Sequence, residues 1–174
     1  LGWKTGLHAS FGTKNNEKEY EKDYQRLKGV KHNRFHFLSW SPEKSPAILQ
    51  KHHILTDSTL GFAETPGFRN AIAHPFPIFN LKDFKITSVW EIPLNIMDTT
   101  FVQYQKIPPG ELPLIIQPML SEAEQFNGCI TVLWHNNFFN SEKYKHWDSA
   151  YINLIQYFKQ KKYRFILPDE VHSF

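Results

Sequence analysis

Short apolar runs alternate with helix-length segments along this sequence, and the alternation predicts an α/β fold of parallel strands joined by helical crossovers, as a sheet or a barrel. A second observation supports the class. The residue at or beside the end of each apolar run is repeatedly a histidine, arginine or aspartate, and α/β folds gather their functional groups at the carboxyl ends of strands.

The elements follow in order. Gly2–His8 reads as a short strand, and Asn15–Lys28 as a polar helix with Tyr20, Tyr24 and Leu27 on one stripe and Gly29 at its end. Arg34–Trp40, "RFHFLSW", is a second strand. Ser45-Pro46 supplies an N-cap and a first-position proline for a helix running to about His53. Ile54–Phe62 is a third strand, and Ala63–Leu81, with three prolines, a long ordered loop. Ile86–Met97, "ITSVWEIPLNIM", is a fourth strand ending at Asp98. Pro108–Gln125 is a helix bent or interrupted at Pro113 and Pro118. Cys129–Trp134 is a fifth strand, the stripe Trp147, Tyr151, Leu154, Ile155, Phe158 marks a helix, and Tyr163–Leu167 is a sixth strand.

Length and composition narrow the function. The 174 residues suit a single domain, 1–174, and no repeat or flexible linker divides them. Aromatic residues reach 16%, which means bulky core packing or rings lining a groove, with core packing the commoner case. Net charge is +3 with both signs interspersed, so the concentrated basic stripe of a nucleic-acid binder is missing. The Lys159-Gln160-Lys161-Lys162 run falls where a helix ends and complements its dipole. One cysteine, Cys129, excludes an internal disulfide framework and a Cys-rich metal site. No apolar run approaches the ~18 residues of a membrane span and no signal peptide is visible, so a cytoplasmic location is expected.

The strand ends carry His8, Arg34 with His36, Asp57, Asp98 and His135. Imidazoles and carboxylates together suit a borderline divalent ion such as zinc, with an acid/base pair beside it. Each residue also has a plainer role. His8 is a ligand or a capped strand-end histidine. His36, on Arg34's side of its strand, is a site residue or a satisfied core histidine. Asp57, before Ser58-Thr59, and Asp98, before Thr99-Thr100, are functional or form turns and caps. His52, His53 and His146 read as surface groups on helices, His172 lies near the chain end, and His74 sits in the long loop, where it lines a cleft or stands alone. Asn136 and Asn137 tie their loop to the backbone or reach substrate hydroxyls. A nucleophile elbow, a Walker motif and a dinucleotide glycine pattern are all missing.

The order "TGLHAS", "RFHFLSW", a strand ending near Asp57, "TVLWHNN", a helix and "YRFILPDEV" resembles the polysaccharide deacetylases of the NodB-homology class, carbohydrate esterase family 4. More narrowly, "DSTLGFAETPGFRNAIAHPF" and "EIPLNIMDTT" resemble a bacterial subgroup associated with surface polysaccharides. The resemblance implies a distorted (β/α) barrel and a metal-dependent deacetylase acting on an acetylated carbohydrate, or a degenerate relative that binds carbohydrate or a partner protein. It implies that His8 is a metal ligand, with zinc the expected ion, and that Arg34 orients a catalytic aspartate. It also implies that His135 is the general acid and that Asp57 or Asp98 tunes it. Two departures stand out. The family's second ligand histidine falls at Gly12, and His36 is expected to replace it. The family's early strand, with its aspartate base and aspartate ligand, is expected to lie upstream of Leu1. Arg69, His74, Trp134 and Asn136 are the expected substrate contacts.

Overall fold

Residues 2–27, 29–140 and 142–173 are described by a computed structural model, the side chains of residues 172 and 173 excepted. Chain order runs β1 (Leu7–Ala9), α1 (Glu17–Arg26), β2 (His32–Phe35), α2 (Ser45–Lys51), β3 (Thr56–Asp57), β4 (Phe76–Asn80), β5 (Lys85–Glu91), β6 (Ile96–Met97), α3 (Leu112–Gln125), β7 (Val132–Leu133) and α4 (Trp147–Gln160). Five strands form a sheet in the order β1-β2-β3-β5-β4, and β6 pairs with β7 separately. All pairings are parallel except the β4–β5 hairpin. The α/β class therefore holds, with a parallel-dominated sheet.

Local chemistry explains the helices. Asn16 caps α1 by accepting from Glu19 N–H, and Glu17 and Glu19 lie in the first turn, where the helix dipole favours anions. Pro46 stands in the first turn of α2 as expected, but Ser45 is not its N-cap: Lys44 takes that position without a side-chain bond, and the Ser45 hydroxyl instead donates to the Lys14 carbonyl at 2.7 Å. Pro118 remains inside α3, which runs unbroken over 14 residues. Lys28, where the first helix was expected to end, lies outside the described residues.

Two apolar cores result. Ala9, Phe35, Leu49, Ile54 and Val89 pack with Tyr20 between the five-stranded sheet and α1 and α2. Ile96, Phe101, Ile116, Leu120, Phe138, Trp147 and Leu154 bind α3 and α4 to β6 and β7. The two regions are joined by backbone hydrogen bonds from Ile92 to Asp57 and from Leu94 to Leu60. Gly61 permits that approach, since a Cβ there would lie 2.7 Å from the Leu94 carbonyl oxygen.

Four expectations need correction. The second strand ends at Phe35, not Trp40: His36–Leu38 form a single helical turn, with Phe37 and Leu38 at φ 57° and 50°. The proline-rich loop contains β4, an edge strand that tolerates Pro77 at a register shift in its pairing with β5. The long fourth strand divides into β5 and β6 around Pro93, which has no N–H to give the ladder. Tyr163–Leu167 is irregular, and the chain then makes a 3₁₀ turn from Pro168 to Ser173.

Candidate active site

Parallel register sorts the sheet residues by face. Leu7, Asn33, Asp57 and Glu91 stand opposite one another in adjacent strands, as do His8 and Arg34 one position further along. Since neighbouring residues of a strand point to opposite faces, the first row faces α1 and the second faces away from it. Tyr20 of α1 confirms the first assignment by donating its hydroxyl hydrogen to Asn33 Oδ1 at 3.2 Å.

The row facing α1 is a buried polar ladder. Asn33 donates to Asp57 Oδ1 at 2.6 Å, and Thr59 N–H donates to Asp57 Oδ2 at 3.0 Å. Asp57 and Glu91 are both fully buried, and their carboxyl groups meet. Burial, reinforced by the Asp57 charge beside it, holds the Glu91 carboxyl well above the usual carboxylate range, while its Oε1 accepts from Leu60 N–H at 2.7 Å. Burial also raises Asp57, against the hydrogen bonds it receives. Arg34 lies in the field of both acids, and its Nε donates to the Ser58 carbonyl at 2.9 Å. Desolvation lowers its pKa and the two acids oppose that effect.

The other face carries the histidines. His8 Nδ1 lies 3.1 Å from the Arg34 carbonyl oxygen, which can only accept, so Nδ1 bears the hydrogen and Nε2 keeps its lone pair. His36 meets the His8 ring edge-on, centroids 4.9 Å apart. Desolvation is the main cause that lowers the His8 pKa, and the charges of His36, Arg34 and His135 push in the same direction. A neutral imidazole with Nδ1 tied and Nε2 free is the form that binds a metal. Two imidazoles are as far as the cluster goes: among the described residues, no three His, Cys, Asp or Glu side chains come together as a metal site.

His135 stands just past β7, at the start of the turn Asn136–Phe139, and Asp98 just past β6. Asp98 is fully buried and accepts from His135 twice: from the backbone N–H, and from Nδ1 at 2.7 Å. Thr99 N–H is its third donor, at 2.5 Å. Burial raises the Asp98 pKa, and the bonds from His135 hold it down. The His135 side chain is 39% exposed, which leaves Nε2 as the free end of a clamped ring. Asp98, rather than Asp57, is therefore the partner of His135.

The expected substrate contacts are placed as follows. Trp134 packs against Trp147 and Tyr151, with ring centroids 6.0 and 5.3 Å away, and its Nε1 is buried without a hydrogen-bond partner. Asn136 is exposed beside His135. Arg69 is exposed and donates to the Gly61 carbonyl at 3.2 Å. His74 is spent at the far end of α3, 2.9 Å from the Phe126 carbonyl oxygen.

Sequence reasoning missed Glu91, although an acid inside the apolar run "VWEIP" was its signal. It also took His52 for a surface group. That ring is buried between Tyr20 and Tyr24, with centroids 5.0 Å from each, and Nδ1 lies 3.1 Å from Glu21. The side chain of His172 lies outside the described residues.

Comparison with protein-family models, curated proteins and solved structures found no match to this chain.

Proposed function

We propose that this chain carries the active site of a metal-dependent deacetylase that hydrolyses an acetyl group from a sugar or surface polysaccharide. The observation that carries the reading is the His135–Asp98 pair. A buried carboxylate fixes one ring nitrogen of His135 while the other reaches solvent, which is the arrangement a general acid or base requires. His8 and Arg34 on the same outward face of neighbouring strands, His36 against the His8 ring just past β2, and the His135 charge felt at His8 support a common site.

His8 and His36 would hold a divalent ion, zinc by preference for imidazole, with the remaining ligands drawn from groups outside the described pair. Such an ion, when bound, acidifies water and polarises the scissile carbonyl. His135, protonated on Nε2, gives that proton to the departing amine or alkoxide, while its Nδ1–H stays on Asp98. Asp98 holds the ring orientation and stabilises the imidazolium. Arg34, held by Ser58 and by the field of Asp57 and Glu91, presents a fixed positive charge beside His8. Arg69, Trp134 and Asn136 remain the proposed sugar contacts, and His74 is the weakest of that set because Phe126 already engages it.

A distorted barrel is part of the same proposal. The strand order β1-β2-β3-β5 climbs without reversal, and the crossover helices α1 and α2 share one core. A doubly wound sheet reverses direction at a switch point, whereas a barrel winds one way.

A second reading, a degenerate relative that binds carbohydrate or a partner protein without hydrolysing it, is favoured by one observation: the described metal ligands stop at two. Acetate release from a panel of N- and O-acetylated saccharides, with zinc, cobalt or manganese added, separates the two. Metal-dependent release that is lost in His135→Ala supports the deacetylase. Saccharide binding with no release under any metal leaves the binding domain.

A further inference from the structure

Phe11 and Phe37 are 72% and 73% exposed, and neither belongs to either apolar core. They are not scattered surface residues, because their rings meet edge-to-face with centroids 5.8 Å apart. Phe37 in turn lies 4.2 Å from the His36 ring, and His36 lies 4.9 Å from His8. A continuous line of rings therefore runs from the proposed metal ligands out to solvent.

The backbone holds this pair at a cost. Phe37 adopts the left-handed conformation, φ 57° and ψ 27°, which a residue with a bulky side chain rarely occupies. Strain of this kind persists at functional positions, and here it projects a large apolar ring into water. Phe11, on the other side, lines a cleft of about 330 Å³ with Ser10, Asn16, Lys22 and Arg26. Two rings bordered by a polar, charged cleft match a pyranose, which has an apolar C–H face and a rim of hydroxyls. They do not match a broad apolar protein surface.

We infer that Phe37 and Phe11 form a stacking platform for the sugar unit adjoining the acetylated one, which makes the substrate an oligosaccharide rather than a monosaccharide. The inference rests on the deacetylase reading for its choice of acetylated ligand, but its test reads binding and not turnover.

Binding of N- and O-acetylated oligosaccharides of two to five units, and of their monosaccharides, is measured by calorimetry and saturation-transfer NMR. At least one oligosaccharide should bind more tightly than its monosaccharide. Phe37→Ala and Phe11→Ala should each weaken it about tenfold, the loss of one aromatic contact, while Phe37→Trp retains it. Thermal unfolding controls for folding: Phe37→Gly, which removes the strained Cβ, should melt no lower than the parent while losing the same affinity. Unchanged oligosaccharide affinity in Phe37→Ala, no preference for oligosaccharides, or no binding by any member of the set overturns the platform. Phe37-dependent binding with no acetate released under any metal keeps the platform and overturns the hydrolase.

Discussion

Replacing Asp98 by asparagine keeps its size but removes the charge that faces His135. Asp98 accepts Nδ1–H of His135 at 2.7 Å from a fully buried position, a charge-assisted bond of about 1.5–3 kcal/mol. At 1.36 kcal/mol per tenfold, Asp98→Asn should slow acetate release by roughly 10- to 150-fold. His135→Ala removes the proton donor and should cost about 10²–10⁴. The decisive variant is the double one. If Asp98 acts through His135, the double substitution is no slower than His135→Ala, because the ring that Asp98 orients has gone. If the two act separately, their losses multiply to at least about 10³. A double variant slower than His135→Ala by the factor that Asp98→Asn imposes on the parent would refute the dyad, as would an Asp98→Asn enzyme with full activity. Circular dichroism of each variant guards against misfolding, since Asp98 also anchors the backbone of Thr99 and His135.

Other expectations follow from the same contacts. His8→Ala and His36→Ala should each weaken zinc binding by tenfold or more in a competitive chelator titration, while His135→Ala leaves it unchanged; equal loss in all three would make His135 a ligand. The fold raises the Glu91 pKa well above the ordinary 4.5 that the group has once unfolded. The unfolded state therefore binds fewer protons, and stability should fall as pH rises from about 4.5 toward the raised folded value. Glu91→Gln should flatten that slope in urea titrations between pH 5 and 8; an unchanged slope would mean that Glu91 is ionised in the fold.

The legible parts of the molecule were those where one physical signal acted alone. The Tyr20 stripe marked α1, Pro46 marked the first turn of α2, and the Trp147–Phe158 stripe marked α4. His8, Asp98 and His135 stood out because strand ends are where polar groups become conspicuous. The hidden parts were those where two signals collide. Pro75 and Pro77 disguised β4, which an edge position tolerates, and Asn80 then turns the hairpin by accepting from Lys82 N–H at 3.0 Å and Asp83 N–H at 3.3 Å. His36 read as a strand residue because "RFHF" alternates, and nothing local announces that Phe37 turns left-handed. The choice between Asp57 and Asp98 depended on cross-strand register, which single-strand patterns do not contain.

β6 and β7 are only two residues each, paired Ile96 to Val132 and Met97 to Leu133. The next rung is not made by backbone at all, since the Asp98 side chain accepts the N–H of His135. The carboxylate that governs the imidazole is thus also the last stitch of the ladder that delivers it. Imidazole orientation and strand alignment become one property of the chain. A slip of a single residue between these strands would offer Asp98 the backbone of Trp134 or Asn136, and no imidazole would follow. An insertion or deletion anywhere in the connection through α3 that shifted this register would separate Asp98 from His135 without touching either residue.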